Sequence, residues 1–282
     1  MTLPPLNIPQ LLQKHHLKPK KHLGQNFLID PHALDRVMRI AQIDAKDEVL
    51  EIGSGLGSLT RLLAGQAEHV TAVEIDDDMI PVLEEVLSPF DNVTLIHGDI
   101  LKQDIADIIH VDDYIVVANI PYYITSAVLR HLLEAHPKPR RMILTIQKEV
   151  ATRICAKDGK MSLLSLSVQV YGRPSIEARI PAGCFYPTPE VESSVIAIEL
   201  FPEPSIPSRS LDLFFKLAHA GFGQKRKTLR NSLSAGLSLS AEKSTQLLID
   251  SGIDPQRRAE TLSITEWGNL TTGFIQMDPG QP

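Results

Sequence analysis

The sequence predicts an α/β fold, a mostly parallel doubly wound sheet with an antiparallel last strand, followed by a small all-helical domain. Three observations predict it. Strand-like and helix-like patterns alternate from about residue 47 to residue 200, as a parallel sheet with crossover helices requires. The first strand runs straight into a glycine turn, Gly53-Ser-Gly-Leu-Gly57, and then into Leu59, Leu62 and Leu63 at helical spacing. Beyond Pro202-Glu-Pro-Ser-Ile-Pro-Ser-Arg-Ser210, a break with three prolines, only amphipathic helical patterns remain.

Taken in order, the strands end in residues that suit a nucleoside ligand. Asp47 to Ile52 reads as a buried strand, and the glycines after it let the backbone approach a ligand closely. A dinucleotide fingerprint would want glycine at position 58, where this chain has Ser58. Gly-x-Gly-x-Gly therefore fits a nucleoside carrying an amino acid better than one carrying a pyrophosphate. A second strand, His69 to Val73, ends at Glu74, placed to accept hydrogen bonds from ribose hydroxyls. A third, Val93 to Ile96, leads to Asp99, an acceptor for an adenine amine. Either carboxylate alone could be a solvated strand end; the ordered set describes a pocket for S-adenosylmethionine.

The fourth strand carries the chemistry. Tyr114 to Ala118 closes with Asn119-Ile-Pro-Tyr122. The N6 amine of adenine is a poor nucleophile because its lone pair is delocalised into the ring. The side-chain oxygen of Asn119 and the backbone carbonyl of Ile120 can each accept one N6 hydrogen, and both bonds strengthen as positive charge develops on nitrogen. Pro121 stiffens the turn. Tyr122 offers a face for an unstacked base, worth roughly 1–3 kcal/mol.

Composition bounds the rest. The chain has 282 residues, 43% of them apolar, enough for one large core and a smaller one. No apolar run approaches a membrane span and no secretory core is present, which points to the cytoplasm. Cys155 and Cys184 show no metal spacing, so neither a metal nor a disulfide is expected. The net charge of −6 is unlike that of a generic polyanion binder, but its distribution is uneven. Residues 1–29 carry four Lys and no acid, residues 44–113 carry 3 basic and 17 acidic groups, and residues 114–181 carry 10 basic and 4 acidic groups. The acid gathers where a cationic sulfonium cofactor would bind, and the base lies around Asn119–Tyr122 and the N-terminal arm, leaving a track for RNA phosphates.

Lys20-Lys-His-Leu-Gly-Gln-Asn-Phe-Leu28, the glycine turn, Glu74, Asp99, Asn-Ile-Pro-Tyr and Phe185-Tyr-Pro-Thr-Pro-Glu-Val-Glu-Ser193 stand in the order of the ribosomal RNA adenine dimethyltransferases. The chain resembles that family from about residue 10 to its end, most closely the bacterial enzymes of small-subunit (16S) rRNA. The resemblance implies a Rossmann-like class I methyltransferase sheet and S-adenosyl-L-methionine as cofactor. It implies dimethylation of two adjacent adenines near the RNA 3′ end, on a 30S assembly intermediate late in assembly. It places cofactor contacts at Asn26, Leu28, Gly53, Glu74, Asp99 and Asn119, to which Gln25, Gly55, Ile75 and Ile100 are added as neighbours in the same segments. Phe185, before a Pro-x-Pro loop, is expected to clamp the flipped adenine opposite Tyr122. The family more often has Leu where this chain has Ile120, a change confined to a side chain that does no chemistry.

The domains expected are an arm over the cofactor (1–29), a methyltransferase domain (30–201), a linker (202–210) and a helical RNA-binding domain (211–282). In the last, Lys225, Arg226, Lys227 and Arg230 are expected to hold phosphates and to position the substrate without reading its bases. A monomer is expected. Three other functions stand beside this one: a large-subunit rRNA methyltransferase of the macrolide-resistance type, a largely non-catalytic checkpoint on immature small subunits, and a DNA adenine methyltransferase, which the lack of a large recognition domain disfavours.

Overall fold

The computed structural model describes residues 3–157 and 159–277. The first two residues of the expected arm and the last five of the expected helical domain lie outside the described residues. The chain divides into two compact units, Met1–Ala151 with Pro174–Leu200, and Thr152–Arg173 with Phe201–Pro282.

Nine strands form among the described residues: β1 (Phe27–Leu28), β2 (Glu48–Ile52), β3 (His69–Glu74), β4 (Val93–His97), β5 (Ile115–Asn119), β6 (Arg141–Gln147), β7 (Gly172–Ile180), β8 (Phe185–Tyr186) and β9 (Ser193–Leu200). Seven make one sheet in the order β4-β3-β2-β5-β6-β9-β7, and β1 pairs with β8 separately. The pairs from β4 through β6 are parallel and β9 runs antiparallel to β6, as the sequence predicts. Central strands β2 and β5 are buried on both faces, Val49, Leu50, Ile115, Val116 and Val117 wholly so, and the buried carboxyl of Glu51 is the exception to their apolar run. From β2 the chain steps outward through β3 and β4, then returns to build β5 and β6 on the other side. That reversal leaves a crevice at the carboxyl ends of β2 and β5, where doubly wound sheets bind their ligands.

The N-terminal arm is tied down. Asn7 caps the helix Ile8–Lys14 by accepting from the Gln10 N–H, and Ile8 and Leu12 pack with Phe27, Leu56, Met79 and Leu83. Asp30 caps the next helix, Pro31–Ala41, with Pro31 at its first position, where a missing N–H costs nothing.

The second unit is a helical body built on Leu211–Phe222, Leu229–Leu237, Ala241–Asp250 and Ile264–Met277. Its core joins Phe214, Leu217, Leu233, Leu248 and Trp267 with Leu166 and Val170. Thr152–Arg173, expected in the methyltransferase domain, thus belongs to this unit; a boundary read from periodicity along the chain cannot detect a segment that returns to a later core. The expected linker is not free chain either. Just before it the Phe201 N–H donates to Tyr171 O at 2.9 Å, within it the Ser205 N–H donates to Val170 O at 2.8 Å, and Ile206 and Ser210 are buried.

Candidate active site

The ends of four parallel strands and the N-terminal arm enclose one cavity. Ile52, Gly53 and Gly55 come from the end of β2, Glu74 and Ile75 from β3, Asp99, Ile100 and Leu101 from beyond β4, and Asn119 through Ile124 from β5. Leu23 through Phe27 close it from the arm. Gly55 is required twice over: its φ is +59°, and a Cβ there would stand 2.9 Å from the Phe27 ring.

Glu74 is 4% exposed. One carboxylate oxygen accepts from the Gly55 N–H at 2.7 Å and the other from the Asp76 N–H at 2.9 Å. Burial pushes its pKa up while these backbone bonds oppose the shift. A carboxylate has about four acceptor sites, so two further bonds to a ribose diol remain possible. Asp99 accepts from the Leu101 N–H at 3.1 Å, which fixes its carboxylate at the cavity. Glu51, 2% exposed on β2, is pushed up to about 8 by burial, with the charge of Glu74 adding to the shift.

At the end of β5, the Asn119 side-chain Nδ2 donates to the Asn26 carbonyl at 2.9 Å. Asn26 in turn donates its own amide to Gly24 O at 3.1 Å. Only the nitrogen of the Asn119 amide can face that carbonyl, so Oδ1 is the acceptor left for the cavity. The Ile120 N–H donates to Thr145 O at 3.2 Å and its side chain is 1% exposed, so its carbonyl is the polar group it can offer. The Tyr122 hydroxyl lies 2.9 Å from Ser193 Oγ. Burial raises the Tyr122 phenol and the bond to Ser193 opposes it.

An ion pair latches the arm. Lys20 Nζ lies 2.5 Å from Asp76 and 2.7 Å from Asp78. Gln25 donates to the other Asp76 oxygen at 2.6 Å and accepts from the Lys20 N–H at 2.7 Å. Asp76, Asp77 and Asp78 crowd together, and the Lys20 ammonium stands among them and offsets one of their three charges. Gln25 lines the cavity with its amide already committed at both ends.

Phe185 departs from its expected role, and Leu28 stands beside the main cavity. Phe185 is 2% exposed and paired with Leu28 across the β1–β8 ladder, its ring in the main core, so it does not present the stacking face expected of it. Leu28 joins the same core and lines a smaller cavity beside this one, together with Gly53, Gly55 and Asn119. Within β1, Phe27 lines both cavities and Leu28 the smaller one. Leu23, Tyr123 and the Ser193 brace on Tyr122 were not legible, since each depends on segments distant in sequence. In the second unit Lys225, Arg226 and Lys227 form an exposed turn after Leu211–Phe222, and Arg230 is half-buried in Leu229–Leu237.

The sequence model of the family described as "Ribosomal RNA adenine dimethylase" matches residues 16–275. The chain belongs to this family. It is 48% identical over 263 residues to a "Ribosomal RNA small subunit methyltransferase A" of Dehalococcoides mccartyi, covering 93% of this chain and 90% of that one. The relative of the same name from Anoxybacillus flavithermus is 41% identical over 277 residues, covering 95% and 94%. Among solved structures, a dimethyladenosine transferase from Plasmodium falciparum superposes with a TM-score of 0.72 at 25% identity, covering 89% of this chain and 98% of that one. The 23S rRNA methyltransferase ErmE gives 0.71 at 26% identity, covering 88% and 99%. As a member of the dimethylase family the protein is a class I S-adenosylmethionine-dependent methyltransferase that acts on rRNA adenines. The cavity fits that cofactor on its own terms: a glycine turn with positive φ at Gly53 and Gly55, a buried carboxylate with spare acceptor sites and a second carboxylate beside it. Among the described residues no helix is long and apolar enough to cross a membrane.

Proposed function

We propose that the protein dimethylates N6 of two adjacent adenines near the 3′ end of small-subunit rRNA, acting in the cytoplasm as a monomer on a 30S assembly intermediate. The names of its bacterial relatives, at up to 48% identity, favour the small subunit over the large-subunit substrate for which ErmE, 26% identical, is named. One observation carries the chemistry: the Asn26 carbonyl takes the Asn119 amide nitrogen and turns the oxygen toward the cavity.

In this reading Glu74 holds the ribose, Asp99 the adenine amine of the cofactor, and the Gly53–Gly55 turn lies against its amino-acid end. Ile75 and Ile100 cover its adenine, and Asn26 and Phe27 close over it. Bound there, S-adenosylmethionine supplies an electrophilic methyl group on a sulfonium. The target adenine lies against Tyr122, whose ring the Ser193 bond holds in place. Asn119 Oδ1 and the Ile120 carbonyl accept the two N6 hydrogens and draw the nitrogen toward sp³ character. With N6 so held, its lone pair would be free to take the methyl group that the cofactor would supply, and the N6 proton would leave to water. After the first transfer one acceptor loses its hydrogen, so the second proceeds on a single bond and needs room for a methyl group. Lys225, Arg226, Lys227 and Arg230 bind substrate phosphates.

The test is transfer of labelled methyl groups to unmethylated small subunits, with naked small- and large-subunit RNA in parallel, followed by nucleoside analysis. Dimethyladenosine at two adjacent adenines, formed in particles, is the expected result. Label on large-subunit RNA alone would overturn the assignment.

A further inference from the structure

Tyr123 is 61% exposed and lines the same cavity as Asn119 and Tyr122. It follows Tyr122 in a single 3₁₀ turn, Tyr122–Ile124, where about three residues make a turn, so the two rings point in directions about 120° apart. Tyr122 turns inward to Ser193. Tyr123 turns toward the arm, where its ring lies over Gly24: a Cβ on Gly24 would stand 3.2 Å from Tyr123 Cε1, and the φ of +64° there also suits glycine alone. The backbone of the arm thus supports one part of the ring, and solvent meets the rest. A large aromatic held in place but left open at the mouth of an RNA site is a stacking surface without an occupant from its own chain.

The occupant follows from the substrate. Drawing one adenine out of a stack and into the cavity strips its neighbour of a stacking partner, at a cost of a few kcal/mol. The neighbour is covalently held one nucleotide away, at the cavity mouth. Resting on the function proposed above, we propose that Tyr123 stacks on the nucleobase adjacent to the target adenine, replacing the partner lost on flipping and keeping the second adenine outside while the first is methylated. Tyr123 is then a positioning residue for the substrate strand, distinct from Tyr122, which receives the target base.

The test uses the full-length protein, S-adenosylmethionine and small subunits reconstituted with two RNAs: one with both adenines, and one in which the neighbour of the adenine being scored is abasic. Initial rates at subsaturating substrate are compared for the wild type, Tyr123→Phe and Tyr123→Leu. The wild type is expected to lose roughly tenfold on the abasic RNA, the size of one base–aromatic stack. Tyr123→Leu is expected to lose about as much on the intact RNA and nothing further on the abasic one, while Tyr123→Phe stays within about twofold of the wild type. Equal losses for Tyr123→Leu on both RNAs would assign the ring a purely structural role over Gly24 and overturn the proposal. A wild-type rate indifferent to the abasic neighbour would overturn it without any variant. If the wild type transferred no methyl group to the intact subunits, the proposed function itself would fall, and this inference with it.

Discussion

Asn119 and Asn26 are joined by a 2.9 Å bond from a side-chain amide to a backbone carbonyl across 93 residues of sequence. The arm that covers the cavity therefore also orients the acceptor that would bind the substrate amine. Asn119→Ala removes the acceptor and is expected to cost about 10²–10³ in kcat, the scale of one preorganised transition-state bond. Asn119→Asp presents a carboxylate oxygen to the Asn26 carbonyl and is expected to fall nearly as far. Single-turnover methyl transfer at saturating cofactor checks both; an Asp variant as active as the wild type would show that the amide nitrogen has no orienting role.

Tyr122 and Ser193 share one hydrogen bond, so removing either end should have the same effect. Tyr122→Phe and Ser193→Ala are each expected to lower kcat/KM by about three- to tenfold, the worth of one ordinary hydrogen bond of about 1 kcal/mol. The double variant should lose no more than either single one, which a double-mutant cycle on methyl transfer measures.

The Lys20 latch has a defined pH window. Burial alone would raise the Asp76 carboxyl, but hydrogen bonds from Lys20 and Gln25 outweigh it and hold the group below its ordinary value. Its contribution is therefore complete above the usual aspartate pKa of about 3.9 and is lost as pH falls through the lowered value. The hydrogen bonds that Lys20 donates to Asp76 and Asp78 raise its own pKa, so its contribution is complete below the ordinary value of about 10.4 and is lost only as pH rises through the raised value. Lys20→Ala is expected to speed proteolytic cleavage within the arm at pH 7 severalfold, and the difference from the wild type should narrow as the pH falls below the usual aspartate value of about 3.9.

Glu51 has the opposite sign. Its folded pKa of about 8 lies above its ordinary value, so the folded state keeps a proton that the unfolded chain releases. Stability from this group therefore declines as pH rises from the ordinary glutamate pKa of about 4.3 toward its folded value. Glu51→Gln mimics the protonated form and should be more heat-stable than the wild type at pH 8, with the advantage vanishing by about pH 4. Thermal melts at the two pH values decide; parallel curves would mean the carboxyl is ionised in the fold.

Phe185 separates packing from base recognition. As a buried core ring its replacement by Leu should lower stability by about 1–2 kcal/mol, the cost of an imperfect volume swap, and leave kcat near wild type at low temperature. A clamp on the substrate would show the reverse, an unchanged melting temperature with kcat down tenfold or more. Melting curves and initial rates on one preparation distinguish the two.

Much of this site was legible because its determinants are local. A strand that must be buried, a glycine turn that must approach a ligand, and a polar residue at each strand end all sit within a few residues of one another, so β2 through β5 and the positions of Gly53, Glu74, Asp99 and Asn119 follow from the chain itself. The basic turn at Lys225–Lys227 is equally local. What only the tertiary structure decided are relationships between segments far apart in sequence. Thr152–Arg173 joins the helical core because its apolar residues find Phe214 and Trp267. The β1–β8 ladder takes Phe185 into the core and turns Phe27 to the cavity. Ser193 reaches Tyr122, Lys20 reaches Asp76, and Asn26 sets the Asn119 amide. Periodicity along a chain reports which face of an element is buried; which distant element covers that face, and which atom of an amide it leaves free, is settled only when the packed chain brings the partners within hydrogen-bonding distance.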